Sequence, residues 1–396
     1  MALPLDGTLV VDLTQNVAGP FCTQILGDMG ADVVKIERPG HGDEARAWAP
    51  PYWGDESSTF MALNRNKRSL ALDLKAEAGL EVVKRLVGRA DVLVQSLRAG
   101  AARALGLDFA GASAINPRLV YCAVTAFGAR GPLRDRPGYD AMMQAYGGLM
   151  SINGHAGQEP ARMGTSVVDM GTGMWAALGI VAALRQRDAT GRAVEVSTAL
   201  FDTTLMWGSY HAMGYLASGV VPEPQGSGTA MIAPYQAFPA ADGWLLIAAP
   251  SDAMFARLTQ ALGVPALAAD DRFRDNPARV GHRTALVEAV SALTRERKRA
   301  DLLETLRRHD VPCAPVLTLD AVLEEPQTRE SGMLLDAPHA RLGRYTSVAL
   351  PIEWDGRRPG VRREPPRLGE HSEDVLTWLG YTRDDVRALR GKGVIS

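Results

Sequence analysis

Short hydrophobic runs and helical stretches alternate along the first half of the chain. The runs are rich in β-branched residues and almost continuously apolar, as strands covered by helices on both faces are. They occupy residues 9–14, 31–37, 69–74, 91–96, 119–127 and 193–199. Pro20 suits the first turn of a helix and Gly30 its C-terminal cap, so the segment between them predicts a helix that crosses right-handed to the next strand. This alternation is typical of βαβ units and predicts a mostly parallel sheet.

The pattern changes after Val221. A loop rich in Pro and Gly leads to a hairpin pattern around Asp242-Gly243. Helical patterns follow at about residues 253–262, 284–295 and 300–309. We therefore predict an α/β protein of two lobes. Residues 1–221, joined by 326–396, form a large lobe with a Rossmann-like, mostly parallel sheet, and residues 222–325 form a smaller α+β lobe.

Charge and composition narrow the functional classes. The 396 residues include 43 Lys and Arg against 45 Asp and Glu, and no block of five like charges occurs. The sequence therefore shows no charged patch for nucleic acid or an anionic membrane. The three cysteines lie far apart in the sequence, which indicates a reducing compartment. The longest nearly apolar run, residues 173–184, is too short to span a bilayer, so we expect a soluble, cytoplasmic protein.

Several common catalytic motifs are absent from the sequence. It contains no Walker loop, no HExxH, no GxSxG elbow and no EF-hand spacing. The seven histidines are scattered, with no pair three or four residues apart. Metal catalysis and triad hydrolysis are thus unsupported, and we predict neither a metal nor a permanently bound cofactor.

One segment carries a candidate nucleophile. Gly164-Thr-Ser-Val-Val-Asp169-Met-Gly171-Thr-Gly173 delivers a carboxylate from a β-like run into a glycine-flanked helix start. Amide donors and the helix dipole would keep such a carboxylate ionised, and an ionised carboxylate can attack a thioester. The N–H groups of the glycines could stabilise a developing oxyanion. Asp is also a favoured N-cap residue, so a purely structural role for Asp169 stays open.

The same glycines allow a second interpretation. Gly171-Thr-Gly173-Met-Trp-Ala176 fits a dinucleotide-binding GxGxxA pattern, with Glu195 as the distant ribose ligand. That pattern belongs at the first βα turn, whereas here it lies in the middle of the chain, and Asp169 would crowd a pyrophosphate. The nucleophile is therefore the favoured interpretation.

The chain resembles the class III (CaiB/BaiF-type) CoA transferases in a series of blocks that follow one another in order. The first block is LDGTLVVDLTQNVAGPFCTQILGDMGADVVKIERPGHGDEAR. The later blocks are NKRSLALDLK, NPRLVYCAVTAFGARGP, GYDAMMQAYGGLMSING, TGRAVEVS, IAPYQAF, VPCAPV and LGEHSEDVL. A single matching block would be weak evidence for the family, but eight blocks in the family's order make the resemblance specific.

The resemblance implies an enzyme that moves CoA from an acyl-CoA thioester to a free acid, small or dicarboxylic. Asp169 matches the family's catalytic aspartate, which forms a mixed anhydride and then an aspartyl-CoA thioester. The implied CoA contacts are Gln15, Asn16, Val17 and Ala18 in the first βα turn, Arg38 and Lys75 at the phosphates, and Ser96, Leu97 and Arg103 farther along. A solvated lysine is the alternative for Lys75. Two positions depart from the family pattern. Ser96-Leu97 stands where the family usually has Asn-Phe after the fourth strand, and Arg103 lies one position before the place of the family's arginine.

The resemblance also implies substrate contacts. They are Tyr139, Asp140, Trp48 and Arg46, together with Gly226 and Gly228 in a short glycine loop. A cation beside an aromatic ring suits a small acid, including one with a second carboxylate. Tyr139 stands where the related α-methylacyl-CoA racemases carry His, which favours transfer over racemisation; an aromatic residue of the core is its alternative role.

Two alternative functions remain at this stage, a 2-methylacyl-CoA racemase or isomerase and a non-catalytic CoA-ester-binding protein. The resemblance further implies an interlocked homodimer. Acyl-CoA and carboxylic acids are the expected partners, with no nucleic acid and no membrane.

Overall fold

The structure, a computed structural model, describes residues 2–396. Its strands are β1 (Leu9–Leu13), β2 (Asp32–Glu37), β3 (Tyr52–Trp53), β4 (Glu56–Ser57), β5 (Lys67–Ala71), β6 (Val92–Gln95), β7 (Val120–Thr125), β8 (Val194–Ala199), β9 (Tyr235–Ala240), β10 (Gly243–Ala248), β11 (Cys313–Pro315), β12 (Leu334–His339) and β13 (Gly343–Val348). Its first nine α-helices are α1 (Ala18–Asp28), α2 (Ser58–Leu63), α3 (Glu77–Arg89), α4 (Ala101–Ala104), α5 (Phe109–Ile115), α6 (Asp140–Tyr146), α7 (Leu149–Ile152), α8 (Val167–Thr190) and α9 (Leu200–Trp207).

The remaining α-helices are α10 (Ser209–Ser218), α11 (Asp252–Ala261), α12 (Asn276–Gly281), α13 (Arg283–Arg295), α14 (Arg299–Arg308), α15 (Leu319–Glu324), α16 (Pro326–Glu330), α17 (Ser372–Trp378) and α18 (Arg383–Gly391). Two short 3₁₀ helices cover Glu44–Ala47 and Pro265–Ala269.

A six-stranded sheet with the order β5-β2-β1-β6-β7-β8 forms the centre of the first compact unit. All five strand pairs are parallel, which confirms the predicted α/β class. The chain moves outward from β1 to β2 and β5 and then returns to β6 on the other side of β1. The carboxyl ends of β1 and β6 therefore form the switch point at which open α/β sheets bind their ligands.

The first unit consists of the residues up to Gly148, Met163–Ala212 and Pro326–Ser396. Its largest core joins β1, β2, β5 and β6 to α3, α17 and α18, so the C-terminal segment returns to this unit. Val11, Val34, Leu70 and Leu93 are almost completely buried in that core. The continuous hydrophobic runs that predicted the strands thus have helices to cover them.

Helix α8 is longer and more apolar than the sequence analysis expected. It has 24 residues and ends at Gly191, whose φ of 69° suits a glycine C-cap. Its length and a mean hydropathy of 1.6 over 18 residues would suffice to cross a membrane, but half of that window is buried inside the protein. Such burial is what a core helix shows, and α8 packs against α1 and β8. The expected cytoplasmic location stays a prediction.

The second compact unit consists of Leu149–Arg162 and Met213–Glu325. An antiparallel sheet, in the order β11-β10-β9, packs with α11, α13 and α14 around Phe238, Phe255 and Leu286. The hairpin β9–β10 turns at the predicted Asp242-Gly243. Residues 149–162 belong to this unit, although the sequence pattern assigned them to the large lobe.

Candidate active site

The switch point of the sheet brings two predicted CoA-binding segments together. Gln15 follows the end of β1, and its amide N donates to the Oγ of Ser96 after β6, over 3.3 Å. Leu97 is fixed beside it, because its amide N donates to Oε1 of Gln95 over 2.7 Å. Residues 15–18 and 96–97 therefore line one edge of the sheet, as adjacent parallel strands require.

The turn from β1 into α1 exposes the start of that helix. Asn16 has a φ of +70°, which is unusual for a residue other than glycine. The N-cap residue of α1 is Val17, so no side chain caps this helix end. Within residues 2–396, the amides of Val17 and Ala18 have no hydrogen-bond acceptor. An uncapped helix start of this kind favours negative charge.

Three of the predicted CoA contacts are exposed basic residues. Arg38 follows β2 and lies 2.7 Å from Glu44 in an exposed ion pair. Lys75 follows β5 and is exposed, as a solvated lysine would also be. Arg103, with a side chain 86% exposed, lies 3.5 Å from Asp108. Arg38 and Lys75 follow the carboxyl ends of neighbouring strands, and Arg103 lies on α4 after β6.

Asp169 is the third residue of α8, so its predicted position as the N-cap is wrong. Ser166 occupies the N-cap and makes no side-chain cap bond. The cap comes instead from Asp140, whose Oδ2 accepts from the amides of Val168 (2.8 Å) and Asp169 (3.2 Å). A carboxylate at this place satisfies helix N–H groups that would otherwise lack a partner.

Asp140 therefore has a structural task and not the predicted substrate contact. It is 5% exposed, and its Oδ1 accepts a hydrogen bond from Nε2 of Gln144 over 2.5 Å. Oε1 of the same Gln144 accepts from the amide of Met163 over 2.8 Å. These bonds tie α6, the start of α8 and the segment before α8 into one arrangement.

The carboxyl group of Asp169 is half-buried and differs electrostatically from the prediction. Burial, and secondarily the charge of Asp140, raise the pKa of Asp169 to about 7. We expected the helix amides to keep this carboxylate ionised, but the Val168 and Asp169 amides already bind Asp140. No hydrogen bond reaches the Asp169 carboxyl from any other residue that the structure describes. A basic carboxylate without donors is a stronger nucleophile than an ordinary one.

The glycines after Asp169 serve packing. A Cβ on Gly171 would lie 2.5 Å from the ring of Trp207, and a Cβ on Gly173 would lie 2.5 Å from the carbonyl oxygen of Ala18. Both glycines lie beyond the first turn of α8, where amides bond within the helix. The predicted oxyanion role of these amides and the dinucleotide-binding alternative are therefore wrong.

Gly173 instead explains how Asp169 reaches the switch point. Residues four apart lie on the same face of a helix, so Asp169 lies one turn from Gly173 on the face that meets Ala18. Only a glycine permits this close approach of α8 to the start of α1. The candidate nucleophile and the predicted CoA-binding turn thus belong to one site.

The remaining predicted substrate contacts lie in different surroundings. Tyr139 is 60% exposed at the N-cap of α6, so it is not a core aromatic residue. Trp48 is 39% exposed. Arg46 is already engaged: Nε and Nη2 donate to the Glu37 carboxylate over 2.7 and 2.8 Å, and Nη2 also donates to the carbonyl oxygen of Pro366. Its guanidinium is thus committed to the protein, contrary to the predicted binding of a substrate acid.

Gly226 and Gly228 form a tight turn in the second unit. Gly226 has a φ of +61°, and its amide donates to the carbonyl oxygen of Gly154 over 2.7 Å. The amide of Gly228 donates to the carbonyl oxygen of Gln225 over 2.9 Å. A glycine turn is therefore present, and its contact with substrate stays a prediction.

Sequence reasoning missed a group of charged residues beneath the β1–α1 turn. Asp12, Lys35 and Lys67 are all fully buried. The signal was present in the sequence, because each interrupts or borders a hydrophobic strand run, where a charge is costly unless it is paired. Among residues 2–396 no group of three or more His, Cys, Asp or Glu side chains could hold a metal ion.

Comparison with known proteins finds relatives over nearly the whole length of the chain. The profile of CoA-transferase family III matches residues 5–372. The succinyl-CoA:glutarate CoA-transferase of Homo sapiens is 34% identical over 393 residues, covering 99% of this chain and 90% of that protein. The succinate–glutarate CoA-transferase of Agrobacterium fabrum is 36% identical over 382 residues, covering 95% and 96%. The crystal structure of a CaiB/BaiF family protein from Brucella suis superposes with a TM-score of 0.87 at 38% identity, covering 96% and 100%.

Proposed function

The chain belongs to CoA-transferase family III, and from this premise we propose that it transfers CoA from succinyl-CoA to glutarate or a similar dicarboxylic acid through covalent intermediates on Asp169. The observation that carries the proposal is the basic, donor-free carboxyl of Asp169, on the face of α8 that meets the β1–α1 turn.

The reaction is a double exchange at one carboxyl group. An oxygen of ionised Asp169 attacks the thioester carbonyl, the C–S bond breaks, and a mixed anhydride and the CoA thiolate result. The thiolate attacks Cγ of Asp169, which releases the donor acid as its carboxylate and leaves an aspartyl-CoA thioester. The acceptor carboxylate attacks Cγ and expels the thiolate, which then attacks the acceptor carbonyl. The new CoA ester and ionised Asp169 result, with no net proton change.

The surroundings of Asp169 suit this sequence. Its pKa of about 7 leaves a substantial ionised fraction at neutral pH, and the raised basicity increases its nucleophilicity. The open amides of Val17 and Ala18 at the start of α1 offer positive potential next to the place where negative charge develops. Charge stabilisation by fixed dipoles is commonly the largest contribution to such reactions.

The substrate class rests on the relatives. The human and Agrobacterium proteins are named for succinate and glutarate, which are unbranched dicarboxylates. Both are at least 34% identical to this chain over nearly its whole length. No feature of the site favours the racemase alternative, since Tyr139 is a solvent-exposed phenol and a phenol is a weak base near neutral pH.

The test uses purified protein with succinyl-CoA and glutarate. Glutaryl-CoA and succinate should form in equal amounts, and hydroxylamine added to a reaction without acceptor should leave a hydroxamate on the peptide that contains Asp169. Asp169→Asn should abolish both results. Because ionising the buried Asp169 opposes folding above its unfolded pKa, Asp169→Asn should melt no lower than the wild type at pH 8.

The matched control is Asp202→Asn. Asp202 is the third residue of α9, as Asp169 is of α8, but it is exposed. This variant should keep full activity. Retained transfer by a folded Asp169→Asn protein would overturn the mechanism.

A further inference from the structure

Four charged side chains lie beneath the β1–α1 turn, and we name them the buried charge cluster: Asp12, Lys35, Asp43 and Lys67. None is more than 3% exposed. Replacing a buried ion pair with apolar residues of similar volume is often neutral or stabilising. Stability alone therefore gives no reason for four charges at this place.

The cluster binds the backbone of the turn at four points. Nζ of Lys35 donates to the carbonyl oxygen of Thr14, and Nζ of Lys67 donates to that of Pro20, each over 2.9 Å. Oδ1 of Asp43 accepts from the amide of Asn16, and Oδ1 of Asp12 accepts from the amide of Thr14, again over 2.9 Å. The anchors span residues 14–20, which include every predicted CoA contact of the turn.

The members of the cluster also hold one another. Lys35 lies 2.7 Å from Asp43, and Lys67 lies 3.3 Å from Asp12. Asp12 additionally accepts from Oγ1 of Thr23 on α1, and Lys67 donates to Oδ1 of Asn64. Two cations thus face two anions, and the side chains come from β1, β2, β5 and the loop after β2. Oδ2 of Asp43 has no hydrogen bond and is held by the charge of Lys35 alone. A network of paired and hydrogen-bonded charges fixes geometry without adding net charge.

The anchored turn has an unusual backbone conformation at one residue. Asn16 has a φ of +70°, and its amide donates to Asp43. Asn adopts positive φ more readily than most residues, and the hydrogen bond to Asp43 holds it there. The amides of Val17 and Ala18, the next two residues, have no acceptor among residues 2–396.

We propose that Asp12, Lys35, Asp43 and Lys67 are positioning residues, which hold the β1–α1 turn in the shape that binds the CoA portion of the thioester. They touch the backbone of the turn and not the substrate. The inference rests on the proposed function, because it assigns the turn to CoA. Loss of the cluster should weaken CoA binding far more than it slows the chemistry on Asp169.

The test compares three variants of the full-length protein. Asp43→Asn sets an amide NH₂ against the Lys35 ammonium, and Lys67→Met removes a charge at nearly constant volume. The control is Arg65→Met, which breaks an equally buried pair, Arg65–Asp28, at the far end of α1 (2.6 Å, both side chains 4% exposed). Calorimetry measures the Kd of free CoA, and steady-state kinetics separates KM for succinyl-CoA from kcat.

The cluster variants should raise the Kd of CoA and the KM of succinyl-CoA by about tenfold or more, with kcat within about threefold of the wild type. Arg65→Met should lower the melting temperature and leave both constants unchanged. If Lys67→Met does not fold, Asp43→Asn alone tests whether the cluster is needed for CoA binding, because this substitution keeps the shape of the side chain.

Unchanged CoA affinity in the folded cluster variants overturns the proposal, as does an equal loss of affinity in Arg65→Met. Failure of the proposed function is separately visible. A wild type that binds CoA but transfers none, with cluster variants that bind it more weakly, supports the positioning role and rejects the transfer reaction.

Discussion

At the scale of single residues, Asp140 and Asp169 have separate tasks at the start of α8. Asp140 caps helix α8 and does not contact substrate as predicted. Burial raises the pKa of Asp169 to about 7, and the negative charge of Asp140 contributes to this increase. A like charge next to a buried carboxyl disfavours ionisation. Under the proposed mechanism, Asp140 therefore fixes the position of Asp169 and helps to set the pH at which Asp169 can attack.

The first prediction concerns pH dependence. Only ionised Asp169 attacks, so kcat/KM should rise as the pH passes about 7. Asp140→Asn removes the like charge but keeps an oxygen for the Val168 amide, so the pKa should fall. Burial, the larger cause, remains, and the rise should therefore move to lower pH by roughly one unit. The measurement is a kcat/KM profile from pH 5.5 to 8.5 for the variant and the wild type, because partial protonation of the dicarboxylic acid near the lower limit affects both proteins equally.

Asp202→Asn serves again as the control and should leave the profile unchanged. A profile of Asp140→Asn that coincides with that of the wild type would show that another group sets the rise.

The sequence was sufficient to propose Asp169 as the nucleophile but did not predict its electrostatics. Asp169 was singled out by its glycine-rich surroundings and by the family blocks, since both are local in sequence. The cap from Asp140 and the commitment of Arg46 to Glu37 depend on contacts between distant segments. Local patterns carry no information about which of two nearby carboxylates takes the free helix amides.

At the scale of elements, the close packing of α1 against α8 holds Asp169 near the β1–α1 turn. Gly173 leaves no room for a side chain against the carbonyl oxygen of Ala18. The crossing fixes the distance between the nucleophile on α8 and the turn before α1. A small separation of the two helices would thus move the reacting groups apart, and displacements of about 1 Å can cost about 10²-fold in rate.

Gly173→Ala should therefore lower both stability and activity. A helix-interior Gly→Ala change alone favours folding by about 1 kcal/mol. The clash with Ala18 should outweigh this and reduce the free energy of unfolding by about 1–3 kcal/mol. We expect kcat/KM to fall by at least about tenfold. Urea denaturation and steady-state kinetics measure the two effects.

The matched control is Gly88→Ala in α3, where the added Cβ would find its nearest neighbour at 3.7 Å, the Cγ2 of Ile115. This variant should keep its activity and gain up to about 1 kcal/mol of stability. Full activity and stability in Gly173→Ala would show that the site does not require the close contact between α1 and α8.

The predictability of the elements followed their hydrophobic pattern. All six strands of the central sheet were predicted because strands buried on both faces are unbroken apolar runs. The hairpin β12–β13 was missed, because its residues alternate between buried and exposed without a marked turn signal. A helix start was predicted at Asp169, and helix α8 begins two residues earlier, at Val167.

At the scale of the whole molecule, large apolar side chains of the first unit are exposed on α8, α9 and the start of α10. Leu178, Met206 and Tyr210 are 62%, 56% and 63% exposed. Clustered exposed apolar side chains mark interaction sites in folded proteins. We propose that these three residues lie in the interface of the homodimer that the family resemblance implies.

Light scattering should accordingly give twice the mass of one chain. Leu178→Glu together with Met206→Glu should yield monomers, because charges on a buried apolar interface are costly. Val348→Glu on β13, which is 58% exposed, is the control and should remain dimeric. A wild type with the mass of one chain at micromolar concentration would reject the interface.

The Asp169 carboxyl group lies on a long helix that is half-buried in the protein, so its position is fixed. In the proposed reaction both acids react at this one carboxyl group, so succinate and glutarate compete for the same site. An excess of either free acid should slow the exchange in the opposite direction. Since one thioester is consumed for each one made, the relative concentrations of the two acids and their CoA esters decide which way CoA flows.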